Sequence, residues 1–479
     1  MSSERQMVPR IGVDQWVATA EERRLRTLGV RLDEAVARVP FALRLLGIAL
    51  PVALYPVLVD SEYLLQVGID TLVFVLLGLG LNVAVGWVGL LDLGYVAFFG
   101  LGAYLYAAVA SEYAGRHWDA LVAVPAVVAA VAVIGFLLGL PSRRLAGDYL
   151  AIVTLFFLQI FLVVLINSGF TRGPNGISNV LPLEVLGRQA VSLEAYFYIT
   201  LAACVVVATA LYLVNHSRTG RAWRALREDE LAAELMTMPT NRLKLLGFAF
   251  GAGVAGLAGA LYAPQQGAVF PANFDLVLLI TVYAMVVLGG AGNLFGVAVG
   301  AVIVTGSLEA LRSPADASWL FYGALTVTLL AVLRPWWKAP ALLAATVVFG
   351  LAVHEAVEAA RPSLVAGTPV GQAWIDGLVD GWVLLPENIV TGDGLPSGAL
   401  GRLAYLALVA SVLALTLVRS SRWRLVGLVP VLYLAASVWE SLLLPQPAVA
   451  RYILIGAMLV ALMAFRPQGL FGRPRVEIV

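Results

Sequence analysis

Apolar residues fall along this chain in repeated stretches of about 17–24, parted by short polar connections. A helix rises about 1.5 Å per residue, so each stretch reaches across a hydrocarbon core of roughly 30 Å. The pattern predicts spans at 42–59, 65–87, 93–111, 118–140, 148–167, 194–214, 245–263, 275–290, 294–311, 319–333, 340–357, 400–418, 424–442 and 451–465. A transmembrane β-barrel would show strands of about ten residues with alternating polarity, and the sequence lacks that alternation. The expected class is an all-α polytopic transmembrane helix bundle of about 11–14 spans. The pairs 65–87/93–111 and 275–290/294–311 have very short connections, which suit re-entrant or broken helices as well as hairpins.

Composition agrees with the pattern. Of 479 residues, 61% are hydrophobic and 13% charged, with mean hydropathy +0.89; soluble domains carry about 25% charged residues. Cys204 is the single cysteine, so an internal disulfide is excluded. His117, His216 and His354 lie far apart, without metal-ligand spacing. Neither a metal nor a cofactor is expected.

Charge distribution sets an orientation. The first 40 residues mix Arg23, Arg24, Arg26, Arg31 and Arg38 with Glu21, Glu22, Asp33 and Glu34, and the apolar run waits until Phe41. A cleavable signal peptide has its apolar core directly after a short basic start. Residues 1–40 therefore read as a cytoplasmic extension with an interfacial helix at about 18–38. With the N-terminus inside, Arg143–Arg144, the 215–244 loop, Arg334 with Lys338, Arg419–Arg424 and Arg466–Arg475 all fall in the cytoplasm, as short cytoplasmic loops require. Outside fall Asp60–Glu62, the 168–193 loop, Ala263–Asp275 and an acidic segment at 355–398. An internal echo links 309–336 to 440–468: both read Glu, Pro, aromatic, Gly, apolar run, Arg-Pro. A duplicated closing helix would explain it.

Five stretches stand out. "GLLDLGYVAFFGLGAYLYA" (89–107) holds Asp92, Gly100, Gly102 and Tyr104. A charge at membrane depth usually faces a cavity or a partner, and a helix N-cap at the interface is the alternative for Asp92. "TRGPNGIS" (171–178) gives Gly173, Pro174, Asn175 and Gly176, either a plain external turn or a contact loop for an external partner. "GFAFGAGVAGLAGALYA" (247–263) places small residues at 251/255/259 and 252/256/260, two stripes for close helix packing. "LGGAGNLFG" (288–296) sets glycines around Asn293, suggesting unwound backbone, which is tolerable only inside protein or beside water.

The fifth stretch, "GRAWRALREDELAAE" (220–234), is the most charged run of the chain. Arg221, Arg224 and Glu228 recur at helical spacing, Trp223 and Leu226 share a neighbouring stripe, and Arg224 and Glu228 suit an i,i+4 pair. One short amphipathic helix outside the bilayer is expected. It is either a solvated loop or a knob for a cytoplasmic partner. The only lysines, Lys244 and Lys338, do not follow glycine, so the Gly-Lys-Ser/Thr of a phosphate-cradling P-loop is missing. A nucleotide-driven process would need another polypeptide to bind the nucleotide.

These motifs, in this order, resemble the LivM-type inner-membrane permeases of branched-chain amino-acid ABC importers. The match is carried by "GLLDLGYVAFFGLGAY", "RLAGDYLAIVTL" (144–155) with "GPNGIS", "GRAWRALREDELAAELM" with "RLKLLGFAFGAGVAGLAGALYA", "VVLGGAGNLFGVAVGA" (286–301) and "FRPQGLFG" (465–472). The resemblance implies a second, LivH-like permease subunit, two cytoplasmic ATP-binding subunits and an external solute-binding protein. It makes the charged run a coupling helix that docks on the ATPase, through Arg221, Arg224, Arg227, Glu228, Asp229, Ala232 and Ala233. The translocation path is expected near Asp92, Gly100, Gly102, Tyr104 and Asn293.

The chain departs from the family pattern at several places. Thr237 and Arg172 stand where the family has Gly, and Gln159 and Leu162 stand near its usual Glu and Arg. About 130 residues are added after a helix like 319–333. The expected organisation is an extension at 1–40, a permease core at 41–333 and a C-terminal extension at 334–479. Branched-chain amino acids are the expected substrate, with urea, amides or another small organic solute as alternatives. An ion-coupled secondary transporter is the competing class. It needs paired ionisable residues at mid-membrane, and only Asp70, Asp92, Glu309 and Glu440 come near that depth.

Overall fold

The computed structural model describes residues 40–112, 115–142, 148–185, 187–333, 335, 337–360, 382–383, 397–418, 420–443, 451–453, 456–457, 459–460 and 469–472. The expected interfacial helix, Arg143–Arg144, most of the acidic segment 355–398 and much of the span 451–465 lie outside the described residues.

The described chain is helical apart from short strand pairs. Its main helices are α1 (Phe41–Ala53), α2 (Glu62–Leu81), α3 (Tyr95–Val109), α4 (Ala120–Ser142), α5 (Asp148–Asn167), α6 (Leu193–His216), α7 (Arg218–Glu228), α8 (Glu230–Leu235), α9 (Thr240–Gln266), α10 (Leu276–Gly289), α11 (Leu294–Ala310), α12 (Pro314–Val332), α13 (Lys338–Ala360), α14 (Ser397–Leu417) and α15 (Ser421–Val438). Each of the first thirteen predicted spans coincides with a helix. Seven are long and apolar enough to cross a membrane, among them Glu62–Val88, Leu193–His216 and Thr240–Gln266. The fold is an all-α polytopic bundle.

Two compact units are present: Met1–Val302 with Leu462–Val479, and Ile303–Ala461. In the first, α9 is the central helix, and its small-residue stripes are buried as their spacing implied. A Cβ added at Gly259 would lie 2.2 Å from the Phe99 carbonyl of α3, and one at Gly256 would lie 2.8 Å from Val131 of α4. Only glycine lets these backbones meet, and in lipid such close packing replaces the hydrophobic drive that helices have in water. α2 fills the other side of α9: Gly80 packs on Val254. α6 lies against α2, where the Cys204 thiol reaches the Leu72 carbonyl at 3.4 Å.

α2 continues as a π-helical segment, Asn82–Val88, that ends at Gly89 in the left-handed conformation. Helix and segment together run for 27 residues, about 40 Å at 1.5 Å per residue. This irregular ending and the connection 89–94 are the broken helix that the tight spacing allowed. At the far end of the unit lie β1 (Ala110–Ser111) with β2 (Arg116–His117), and β3 (Ile177–Ser178) with β4 (Ala268–Val269). α7, α8 and the connection 290–293 gather at the end where the π segment finishes.

The second unit has its own core. Phe321 of α12 stacks on Trp439 with centroids 4.4 Å apart, and the Tyr322 hydroxyl donates to Glu440 at 2.8 Å. Leu329, Ala339, Leu342 and Leu432 form a further buried cluster.

Candidate coupling surface and membrane path

α6 ends at His216, and Ser217 starts α7 by accepting the Gly220 N–H at 3.4 Å, the capping expected of Ser at this position. A Cβ on Gly220 would sit 2.4 Å from the Asn215 carbonyl, so the bend requires glycine. Arg221, Arg224 and Glu228 are exposed, whereas Trp223 and Leu226 are buried. The amphipathic reading holds, but the single helix does not. Asp229 leaves the helical conformation and its Oδ1 caps α8 by accepting the Ala232 N–H at 3.0 Å. Nor does Arg224 pair with Glu228. Its guanidinium turns back to the carbonyls of Asn215 and Gly220, where the partial negative charge of the α6 C-terminus attracts it.

The buried face of α7 is fastened to three other elements. The Trp223 indole N–H donates to the Leu243 carbonyl at the start of α9, at 2.8 Å. Its ring stacks on Trp87 of the π segment, centroids 6.3 Å apart. Trp87 in turn donates to the Gly292 carbonyl at 3.1 Å, and the Gly292 N–H donates to Asn82 Oδ1 at 2.7 Å. Arg227 donates to the Gly86 carbonyl and packs its stem over Gly89. Glu230 pairs with Lys244, which is buried. Arg227 thus points into the bundle, unlike Arg221 and Arg224. Ala233 is buried and Ala232 exposed. Asn82, Trp87 and Lys244 were not singled out as site residues in the sequence, and Gly292 was marked only as one of the glycines around Asn293. The available signal was the spacing of Trp223, Leu226, Arg227 and Glu230, which is i, i+3, i+4 and i+7 on one face.

The remaining singled-out residues are spread over the unit. Asp92 is 2% exposed; its Oδ1 accepts the Gly94 N–H at 3.0 Å and its carbonyl accepts the Tyr283 hydroxyl at 2.8 Å. Burial pushes its carboxyl up to about 7, with the Gly94 N–H acting in the opposite direction. Gly102 meets the Gly256 backbone, Gly100 faces Phe161 and Phe274, and the buried Tyr104 hydroxyl has no hydrogen-bond partner among the described residues. Asn293 caps α11 through the Phe295 and Gly296 N–H groups and donates to the Phe471 carbonyl. Leu470 and Phe471 donate to the carbonyls of Leu288 and Gly289, so the tail motif closes on the α10–α11 connection. Gly173–Asn175 form a 3₁₀ turn, and Gly176 abuts Val269 of β4.

A family model described as "Branched-chain amino acid transport system / permease component" matches residues 63–333. The chain belongs to this family. The high-affinity branched-chain amino acid transport system permease protein LivM of Escherichia coli is 38% identical over 289 residues, 55% of this chain and 67% of that one. The probable branched-chain amino acid transport permease protein LivM of Methanocaldococcus jannaschii is 27% identical over 285 residues, 53% of this chain and 82% of that one. The LivH permease protein of the corresponding Salmonella typhimurium system is 30% identical over 175 residues, 36% of this chain and 56% of that one. No solved structure matches. This protein is a LivM-type permease subunit of an ABC importer and a multi-pass protein of the inner membrane. The family match contains α7, α8 and the residues they are fastened to; the tail at 469–472, which closes on the α10–α11 connection, lies beyond it.

Proposed function

We propose that this permease carries branched-chain amino acids inward across the membrane, with its N-terminus and α7–α8 in the cytoplasm. It works with a LivH-like second permease subunit, two cytoplasmic ATP-binding subunits and an external solute-binding protein. ATP is bound and hydrolysed by the partners, and this chain has no nucleotide site of its own. The observation that carries the reading is the fastening of α7: its polar face is exposed while its inward face holds the π segment and α9, and reaches the α10–α11 connection through Trp87. Arg221, Arg224 and Glu228 meet the ATPase. Arg227 and Trp223 pass its movement to the spans. Docking of this kind places charge at the rim and packing beneath it.

Co-purification tests the reading. The chain should bring down its ATPase from a reconstituted assembly. Combining Arg224→Glu with Glu228→Arg should release the ATPase while leaving the LivH-like partner bound. Leucine uptake without any ATPase would point to the ion-coupled class instead. We further propose that the residues beyond the family match form an additional docking surface for the solute-binding protein. Removing about 336–466 should then lower uptake at limiting substrate more than at saturation.

A further inference from the structure

Asp70 lies on α2, about 12 Å along the helix axis from Glu62, at the end of the first unit away from α7. A carboxylate at such depth ordinarily has a cationic partner. Asp70 has none: no ion pair to it exists among the described residues. Its Oδ1 accepts the side-chain N–H groups of Gln265 at 2.9 Å and Gln266 at 3.4 Å. Both donors are neutral and both go to one oxygen. Asp70 lines a cavity of about 180 Å³ with Phe74, Phe99, Tyr262, Gln266 and Asn273. Asn273 donates to the Tyr262 hydroxyl at 3.1 Å, and the Phe99 and Tyr262 rings stand 5.2 Å apart. No residue lining the cavity is basic.

The cavity therefore combines one uncompensated carboxylate, two aromatic walls and neutral amides. Carboxylate and ring faces both attract cations, the rings through their quadrupoles. An anion would meet the Asp70 charge with nothing to offset it, and a neutral solute would forgo the attraction. The volume is below the roughly 300–1,000 Å³ of drug-sized pockets, so it suits an ammonium head with a short aliphatic stem.

We propose that this cavity is a binding subsite for the primary ammonium group of a small aliphatic solute, with Asp70 as counter-charge and Phe99 and Tyr262 as walls. Its place on the substrate's route rests on the transport reading above, but the binding chemistry does not. No residue expected in the translocation path lines it.

The test uses the full chain in lipid nanodiscs and two probes of similar shape, 3-methylbutylammonium and 3-methylbutan-1-ol, titrated by calorimetry. The amine should bind saturably and the alcohol about tenfold or more weaker. Asp70→Asn should remove about tenfold or more of the amine affinity. Because Asp70→Asn alone leaves folding in question, Leu278→Trp provides a second route. Leu278 also lines the cavity, and its replacement fills the space without touching the carboxylate, so amine binding should again be lost. Equal binding of amine and alcohol, no saturable amine binding by the wild-type chain, or full amine affinity in either variant would overturn the proposal. The two readings fail separately. An assembly that imports no leucine, while its wild-type permease binds the amine through Asp70, sinks the substrate and keeps the subsite.

Discussion

The two ends of the first unit are built on different principles. At the α7 end, two buried indoles, a half-buried guanidinium and a buried ammonium each find a partner: Trp223 on Leu243, Trp87 on Gly292, Arg227 on Gly86, Lys244 on Glu230; of the polar atoms around them, Asn82 Nδ2 and Asn215 Oδ1 are left without a partner among the described residues. At the other end, the backbone is tied by strand pairs only two residues long, and a carboxylate opens on a cavity. Buried polar groups that are fully paired make a connection rigid, because each alternative arrangement leaves one orphaned. A network whose charged and indole groups are paired suits the transmission of force, and a carboxylate facing a cavity without a cationic partner suits a visiting ligand. The contrast assigns transmission to the first end and reception to the second.

Trp223→Ala tests that contrast most severely. The residue is fully buried, and truncating a buried aromatic costs about 3–5 kcal/mol. The Leu243 carbonyl would also lose its donor. We expect a lower thermal midpoint for the purified chain and loss of ATPase co-purification. A variant as stable as wild type would show that the buried face of α7 is not the anchor.

Arg227 separates anchoring from docking. Arg227→Ala should cost about 1.5–3 kcal/mol through its charged hydrogen bond, because the Gly86 carbonyl loses its donor. On the proposed docking by the exposed Arg221 and Arg224, hydrolysis should continue while uptake falls, a ratio read from paired ATPase and transport assays in proteoliposomes. Arg221→Ala should do the reverse, weakening ATPase binding with little change in thermal stability. If both variants act alike, the division of α7 into an outward and an inward face is wrong.

The architecture was legible because periodicity and span length are strong signals in lipid, where every backbone group must be satisfied within a helix. The helix 240–266 and its glycine stripes could be read directly, since small residues at 251, 255 and 259 have little other use at a helix interface. The inward role of Arg227 was not legible. Its partner is a carbonyl of Gly86, 141 positions away in sequence, and a backbone acceptor leaves no mark in residue type. The break at Asp229 was hidden for another reason. Asp suits both a helix surface and an N-cap, and only the geometry of the Ala232 N–H decides between them.

The smallest expected effect concerns two departures from the family pattern. Among the described residues only Arg172, Asn179 and Thr237 have positive φ without being glycine. Arg172 and Thr237 are the two positions where the family pattern has Gly. Thr237 closes α8: its N–H donates to the Glu234 carbonyl at 2.9 Å and the Met238 N–H to the Ala233 carbonyl at 3.1 Å. This double bond pattern ends many helices, and glycine normally occupies the left-handed residue within it. Thr237 holds that place at φ 61°. A β-branched residue there costs about 1–2 kcal/mol, while glycine loses more entropy on folding, roughly 0.5–1 kcal/mol. Thr237→Gly should therefore stabilise the chain by up to about 1 kcal/mol, seen as a slightly higher thermal midpoint, with ATPase coupling unchanged. Thr237→Val should be neutral or worse, since it keeps the branching that glycine removes. A drop in stability for Thr237→Gly would mean that the hydroxyl makes a contribution larger than the strain, and that α8 is held at this end by its side chain rather than by its turn.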